Sequence, residues 1–468
     1  MSLKTRLIAP YQHDGVKWLV KRERDTEHPG GFLCDEMGLG KTVQLLATMC
    51  LNPKDRTLVV VPKSILGQWA SEVKRFTPHI KVHTFAGAKR VPPEFTEGEP
   101  QIVVASYAMT RDGVLQQFKW DRIILDEAHE IRNSKSKTFQ WVMKIQAAIK
   151  WVVTGTPVFN SAKDFLNLGS FVGLSKLSIT ANYSGIRERY VLRRTKDELN
   201  ARLKLPPCDF ENVELDMSPE ERELYTDVFL SAHETVKDIM KSAYAGMYQM
   251  EMLECLLRVR QVMTWPQMYY DGMAKKEKTE DVETWCGKSA KFDKLMEMLE
   301  SHPAEKSLVF CQFMGEMNRI QEMLRERGFK VFRIDGSVDN SARETQIQGF
   351  KETARSAVFL IQIKAGGVGL NLQEATRVYI TAPSWNPATE LQAIGRAHRT
   401  GQTQKVFVRK LVYAGTEKVP SVEQSIMQLQ NHKAKVCAEV LNDPKLEAQI
   451  PASKSKMSIR TIAKLFSV

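Results

Sequence analysis

Phe32-Leu33-Cys34-Asp35-Glu36-Met37-Gly38-Leu39-Gly40-Lys41-Thr42 begins as a short apolar run, crosses a glycine-bearing loop and enters a helical run at Val43. Strand, loop and helix in that order form the setting of a phosphate loop. Glycines admit backbone N–H groups close to phosphate oxygens, the helix N-terminus adds positive potential, Lys41 reaches the β and γ phosphates, and Thr42 offers a hydroxyl to Mg²⁺. The general consensus has glycine where Asp35 stands, so the motif here is the shortened G-x-G-K-T form. Gly38, Gly40, Lys41 and Thr42 are the expected contacts to ATP or GTP.

Working outward, short apolar runs at 32–34, 57–61, 102–105, 123–125 and 151–154 alternate with amphipathic stretches, and the same grammar returns at 307–310, 330–334, 357–361 and 377–380. Strands alternating with helices predict α/β architecture with parallel, doubly wound sheets, and the recurrence predicts two such lobes. Between them, 218–261 carries Leu224, Phe229, Val236, Met240, Tyr244, Met247, Met250, Leu253 and Leu257 at helical spacing. This predicts a helical insertion whose methionines fill irregular gaps in a core rather than line a partner groove. The expected boundaries are a first lobe at 1–204 with a helical extension after 157, an insertion and exposed linker at 205–285, a second lobe at 286–425, and a helical basic segment at 426–468.

Composition bounds the rest. The 468 residues exceed what one core usually holds, and 43% hydrophobic with 26% charged residues describes a soluble globular chain. No run approaches a membrane span, and the first ten residues are too polar for a signal-peptide core, which predicts an intracellular chain without a membrane partner. Seven scattered cysteines with no C-x-x-C pair predict free thiols in a reducing compartment. Lys plus Arg (67) over Asp plus Glu (55) leaves +12, which fits a polyanionic partner or a basic solvated surface.

Two further motifs complete a chemistry. Ile123-Ile124-Leu125 leads into Asp126-Glu127-Ala128-His129, where Asp126 would hold Mg²⁺ and Glu127 would polarise an attacking water. Far downstream stands Gln392-Ala393-Ile394-Gly395-Arg396-Ala397-His398-Arg399-Thr400-Gly401-Gln402. If helical, it sets Arg396 and Arg399 on one face, where guanidinium forks stabilise charge on a transferring phosphoryl group.

With these motifs in order, 7–411 resembles the Swi/Snf-type branch of the superfamily-two helicase-like ATPases, whose members share two RecA-like lobes. The family-specific runs are Val191-Leu192-Arg193-Arg194-Thr195-Lys196, Leu256-Leu257-Arg258-Val259-Arg260-Gln261, Ala365-Gly366-Gly367-Val368-Gly369-Leu370-Asn371-Leu372 and Trp385-Asn386-Pro387. The chain departs from the family at Ala382-Pro383-Ser384, where many members are acidic, and at Thr400, where an aliphatic is common.

The resemblance implies ATP and Mg²⁺ as cofactors. It assigns adenine recognition to Gln12, nucleotide contacts to Asp35 and Gly369, and coupling roles to Thr154, Gly155, Thr156, Trp385 and Gln392. It implies double-stranded DNA as the partner, gripped through its backbone with little sequence specificity by Lys63, Gln68, Trp69, Ser106, Tyr107, Lys364, Gly366 and Gly367. Trp69 and Tyr107 read equally as core aromatics. The implied activity is ATP-driven movement along duplex DNA or remodelling of a DNA-bound protein complex, by a bare motor core that is nuclear in a eukaryote and otherwise cytoplasmic or viral. A strand-separating DNA or RNA helicase and a non-catalytic nucleic-acid scaffold are the alternatives.

Overall fold

The structure, a computed structural model, describes the chain except residues 1, 2, 5, 6, 8, 89, 156–161, 197, 200–204, 354–355, 364–369 and 432–458. The chain divides into two compact units, the first built mainly on Met1–Leu205 and the second on Pro206–His398 with Gln402–Lys435. Each holds a parallel sheet between helices, as the alternating pattern predicts.

In the first unit, strands β1 (Gly30–Leu33), β2 (Arg56–Val61), β3 (Lys81–Phe85), β4 (Gln101–Ser106), β5 (Lys119–Asp126), β6 (Gln146–Val153) and β7 (Val191–Leu192) lie in the order β3-β4-β2-β5-β6-β1-β7. The interior strands are buried on both faces, which is why they read as unbroken apolar runs rather than alternating ones. β3 escapes such a reading because Lys81-Val82-His83-Thr84-Phe85 is a half-exposed edge strand.

In the second unit β8 (Cys208–Leu215), β9 (Ser307–Cys311), β10 (Lys330–Ile334), β11 (Ala357–Gln362), β12 (Arg377–Ile380) and β13 (Val406–Tyr413) take the order β10-β11-β9-β12-β13-β8. Alternate residues face opposite helical layers. Leu308 and Phe310 join Phe332, Phe350 and Phe359 in one core, while Val309 and Cys311 pack with Phe292, Met296 and Ile320 in the other. β13 hides in the sequence because Arg409 and Lys410 interrupt it, yet Lys410 is buried with Nζ 2.9 Å from Glu390 Oε2. β8 precedes the insertion and pairs along the whole of β13.

The insertion consists of the helices Pro219–Lys241, Gln249–Thr264 and Gln267–Glu277. Met252 does fill its core, beside Tyr225, Phe229, Val236, Leu256 and Val259. The expectation fails for Tyr244, Met247 and Met250, which are 69%, 79% and 76% exposed. The helix ends at Lys241, and Ala245–Tyr248 is a separate single turn, so the apolar stripe does not continue across the tip. A capping box on Ser218 places Glu221 where it accepts from Tyr413 Oη at 2.7 Å, and the buried Lys291 Nζ meets Glu423 at 2.6 Å beside it. The Tyr413 bond, with one from Lys291 Nζ to Met263 O at 3.1 Å, fastens the insertion to the second lobe. The helix Ile459–Leu465 adds Ile462, Leu465 and Phe466 to the same core.

Helix α1 (Pro10–Glu23) is tied beneath the first sheet by a buried ion pair. Arg122 from β5 donates to both oxygens of Glu23 at 2.6 Å, while Trp151 Nε1 at 3.0 Å and Asn52 Nδ2 at 2.7 Å also bond that carboxylate. Replacing Glu23 by alanine leaves the guanidinium buried without its counter-charge, an effect of about 3–5 kcal/mol. We expect Glu23→Ala to lower stability by that amount in chemical denaturation; a loss below about 1 kcal/mol would show that the pair does not hold α1.

Candidate functional site

Parallel pairing brings the carboxyl ends of all the first sheet's strands to one edge, and ligands of open α/β sheets bind outside that edge. β1 delivers the phosphate loop there. Gly38 (φ 91°) and Gly40 (φ 75°) take left-handed backbone, and Gly40 caps α2 (Lys41–Leu51), so Lys41 and Thr42 open the helix. A Cβ on Gly40 would lie 2.6 Å from Gln12 Nε2, which fixes that position as glycine and seats the buried Gln12 against the loop. Gln12 Nε2 also lies 3.4 Å from Leu39 O, and Tyr11 Oη donates to the same carbonyl at 3.0 Å.

Lys41 Nζ donates to Asp35 O at 2.9 Å and approaches Glu36 O at 3.5 Å, so the loop wraps its ammonium group. β6 ends beside it. Thr154 N donates to Leu33 O at 3.2 Å, and a Cβ on Gly155 would stand 2.8 Å from Lys41 Nζ. Thr154 and Gly155 thus border the phosphate loop, whereas Thr156 lies outside the described residues.

Asp35 behaves differently from a nucleotide contact. It is completely buried, and both its oxygens are taken by the guanidinium of Arg194 while Gln44 Nε2 donates at 3.2 Å. Here the side chain anchors the loop and its backbone carbonyl receives Lys41. The non-glycine residue at the head of the motif is explained by that anchor. Tyr11, Gln44 and Arg194 were not singled out as site residues in the sequence. Arg194 falls inside the family-specific run 191–196, whereas Tyr11 and Gln44 signal only by polarity beside motifs.

β5 ends at Asp126, and Glu127 follows in left-handed backbone (φ 49°), a conformation that non-glycine residues rarely adopt. Asp126 Oδ1 accepts from Glu127 N at 2.9 Å and Oδ2 from Trp69 Nε1 at 2.7 Å, while Tyr107 Oη donates to Asp126 O at 2.8 Å. Burial, then the Glu127 charge, pushes the Asp126 carboxyl up to about 6, against the pull of Trp69 and Lys41. Burial works against ionisation of the His129 imidazole, but its close approach to the Glu127 carboxylate (Nδ1 to Oε2, 3.3 Å) and the charges of Glu127 and Glu130 outweigh it and raise its pKa. Burial, with the nearby acids, lifts the Tyr107 hydroxyl well above its ordinary value.

These bonds correct two expected nucleic-acid contacts. Trp69 and Tyr107 are 2% and 6% exposed and spend their polar atoms on Asp126. They are core aromatics that brace the carboxylate strand. Lys63 is exposed on the turn after β2. Gln68, one turn into α3 (Leu66–Phe76), bonds Glu72 at 2.7 Å, and Ser106 is buried at the end of β4. Lys364, Gly366, Gly367 and Gly369 lie outside the described residues.

In the second unit, Gln392 is buried on the helix Pro387–Ile394, and Trp385 packs partly against the insertion core. Arg396 and Arg399 fall beyond that helix, so they are not on one helical face. Arg396 N to Ala393 O at 3.1 Å and Ala397 N to Ile394 O at 3.1 Å mark tightened turns in its place. Arg396 is buried, and its carbonyl accepts from Leu372 N at 3.1 Å.

The first-lobe residues fit a nucleoside triphosphate with Mg²⁺. A glycine cradle and one ammonium group suit phosphates. Asp126 and Thr42 are hard oxygen donors of the kind Mg²⁺ takes alongside phosphate oxygens. Among the described residues no cluster of three or more His, Cys, Asp or Glu offers a rival metal cage.

Comparison with known proteins identifies relatives of the sequence. Residues 11–268 match the SNF2-related domain, and 290–401 match the helicase conserved C-terminal domain. The chain is 30% identical over 459 residues to the human SWI/SNF-related matrix-associated actin-dependent regulator of chromatin subfamily A member 1, covering 90% of this chain and 43% of that protein. It is 28% identical over 527 residues to the DNA excision repair protein ERCC-6-like of Danio rerio, covering 93% and 36%. The chain therefore spans less than half the length of either relative. A solved structure of the Sulfolobus solfataricus SWI2/SNF2 ATPase core in complex with dsDNA is 26% identical, covers 96% of both chains and has a TM-score of 0.43. With the SNF2-related domain matching more than half of its sequence and two helicase-type lobes in its fold, the chain belongs to the SNF2 family.

Proposed function

We propose that this chain is an ATP-hydrolysing translocase that moves along double-stranded DNA. One observation carries the reading: the Lys41 cradle and the Asp126–Glu127 pair leave one parallel sheet by the same edge, with only β6 between their strands. In-line phosphoryl transfer needs both, one to hold phosphates and one to handle the water. Lys41 binds the β and γ phosphate oxygens, Gln12 reads the adenine edge, and Thr42 with Asp126 would hold Mg²⁺. Bound Mg²⁺ supplies positive charge against the phosphate oxygens. Glu127 orients the water and accepts its proton, and His129 fixes the Glu127 carboxylate. Arg396 and Arg399 are the proposed arginines for stabilising charge on the transferring group.

The names of the relatives, one a regulator of chromatin and one a DNA excision repair protein, together with the dsDNA held by the Sulfolobus core, support duplex DNA as the track. Lys63 and Gln68 of the first lobe, with Lys364, Gly366 and Gly367 of the second, are the proposed backbone contacts, and a DNA-bound protein complex is the proposed load. No described helix is long and apolar enough to cross a membrane. The names of the chromatin relatives support a nuclear location if the source is eukaryotic.

Hydrolysis by the purified chain is expected to rise strongly with duplex DNA, and DNA affinity to fall with salt at a log–log slope of about −0.9 per phosphate contacted. Glu127→Gln should bind ATP yet lose about 10²-fold or more in kcat. Hydrolysis that ignores duplex DNA, or a Glu127→Gln variant of full activity, would contradict the proposal.

Trp69→Phe supplies a pH test. The Trp69 N–H stabilises ionised Asp126, so its loss raises a carboxyl pKa already near 6. The ionised form exists above that pKa and disappears as pH falls through it. In the chain free of Mg²⁺ and nucleotide, the titration of the Asp126 carboxyl should therefore move to higher pH in Trp69→Phe; an unmoved titration would remove Trp69 from this role.

A further inference from the structure

Past β7 the chain does not leave the nucleotide site; it runs beside it. Cys34 N donates to Leu192 O at 2.7 Å, Glu36 N to Arg194 O at 2.9 Å, and Lys196 N to Glu36 Oε2 at 2.7 Å. The parallel pairing of β1 with β7 thus continues beyond both strands, along the entry of the phosphate loop. The Lys196 ammonium also lies 3.5 Å from Glu36 Oε1.

Arg194 sits in the middle of this stitched segment. Its Nε donates to Asp35 Oδ1 at 2.9 Å, its Nη2 to Asp35 Oδ2 and, at 2.8 Å, to Gln44 Oε1, and its Nη1 to the carbonyl of Tyr11. One planar fork therefore joins three pieces: α1, whose next residue is Gln12; the head of the phosphate loop; and the second turn of α2. Room for it depends on Gly15 in α1. A Cβ there would lie 2.7 Å from Arg194 Nη2 and 2.0 Å from Gln44 Oε1. A guanidinium spans such a set of acceptors, and lysine, a point charge without a fork, does not.

We propose that Arg194 is a positioning residue of the nucleotide site: it sets Gln12 in place against the phosphate loop, and it makes the segment 192–196 respond to bound nucleotide. The inference rests on the nucleotide reading given above. Because the loop entry and the segment share their hydrogen bonds, whatever fixes one fixes the other. Binding linkage then requires that disturbing the segment weaken nucleotide affinity.

The test uses the whole chain without DNA. Dissociation constants for fluorescent ATP and GTP analogues are measured for the wild type, Arg194→Lys, Asp35→Asn and the double variant, each with its thermal unfolding curve, and amide hydrogen exchange is followed across 34–36 and 192–196. We expect nucleotide to slow exchange at 192–196 in the wild type. A folded Arg194→Lys should lose about tenfold in ATP affinity and most of its preference for ATP over GTP, and the double variant should be no worse than the poorer single one. Should Arg194→Lys fail to fold, Gln44→Ala removes only one partner of the fork and is expected to lose a few-fold in ATP affinity. Unchanged affinity in a folded Arg194→Lys or Gln44→Ala, or exchange at 192–196 indifferent to nucleotide, overturns the inference. A wild type that binds neither analogue overturns the nucleotide reading itself, and this inference with it.

Discussion

Parallel pairing is the constraint on which the rest depends. Because each strand of the first sheet runs the same way, the chain must leave β1, β2, β4, β5 and β6 through one edge. The phosphate loop, the turn bearing Lys63, the Asp126–Glu127 corner and Thr154–Gly155 are consequences of that geometry. Their side chains need no long-range search to find one another. The price is a sheet buried on both faces, so every polar group that enters it has to arrive with a partner.

The partners are mostly charges of opposite sign, and they do more than neutralise. Glu23 and Arg122 tie α1 to β5, and Asp35 and Arg194 tie the phosphate loop to the segment after β7. In the second lobe Glu390 with Lys410 joins a helix to β13, and Glu423 with Lys291 joins the helix Ala290–Glu300 to the chain past β13. Each pair connects elements distant in sequence, so each fixes a relative placement that apolar packing alone would leave softer. The Asp126 carboxylate is held in the same way, with an indole N–H replacing the cation on one oxygen.

How much of this is legible in the sequence follows from what each feature requires of the chain. The phosphate loop and the Asp126–Glu127 strand end are readable because their backbone and chemistry dictate residue types at fixed spacing. The buried strands are readable because burial on both faces forbids polar residues. β3 and β13 are not, since an edge position excuses the polarity of one and a distant Glu390 excuses the lysine of the other. Trp69, Tyr107 and Arg194 are opaque for a related reason: their role lies in a hydrogen bond to a residue 57, 19 or 159 positions away. Tyr244, Met247 and Met250 mislead because one helix ends at Lys241 and another starts at Gln249, so a single helical period does not span the tip.

The central claim is movement along an intact duplex, and displacement of a short third strand from a DNA triplex by the purified chain tests it most directly. The account predicts that ATP, but not a non-hydrolysable analogue, drives third-strand release while the underlying duplex stays paired. Retention of the third strand under conditions where the chain hydrolyses ATP, or separation of the duplex strands, would contradict it.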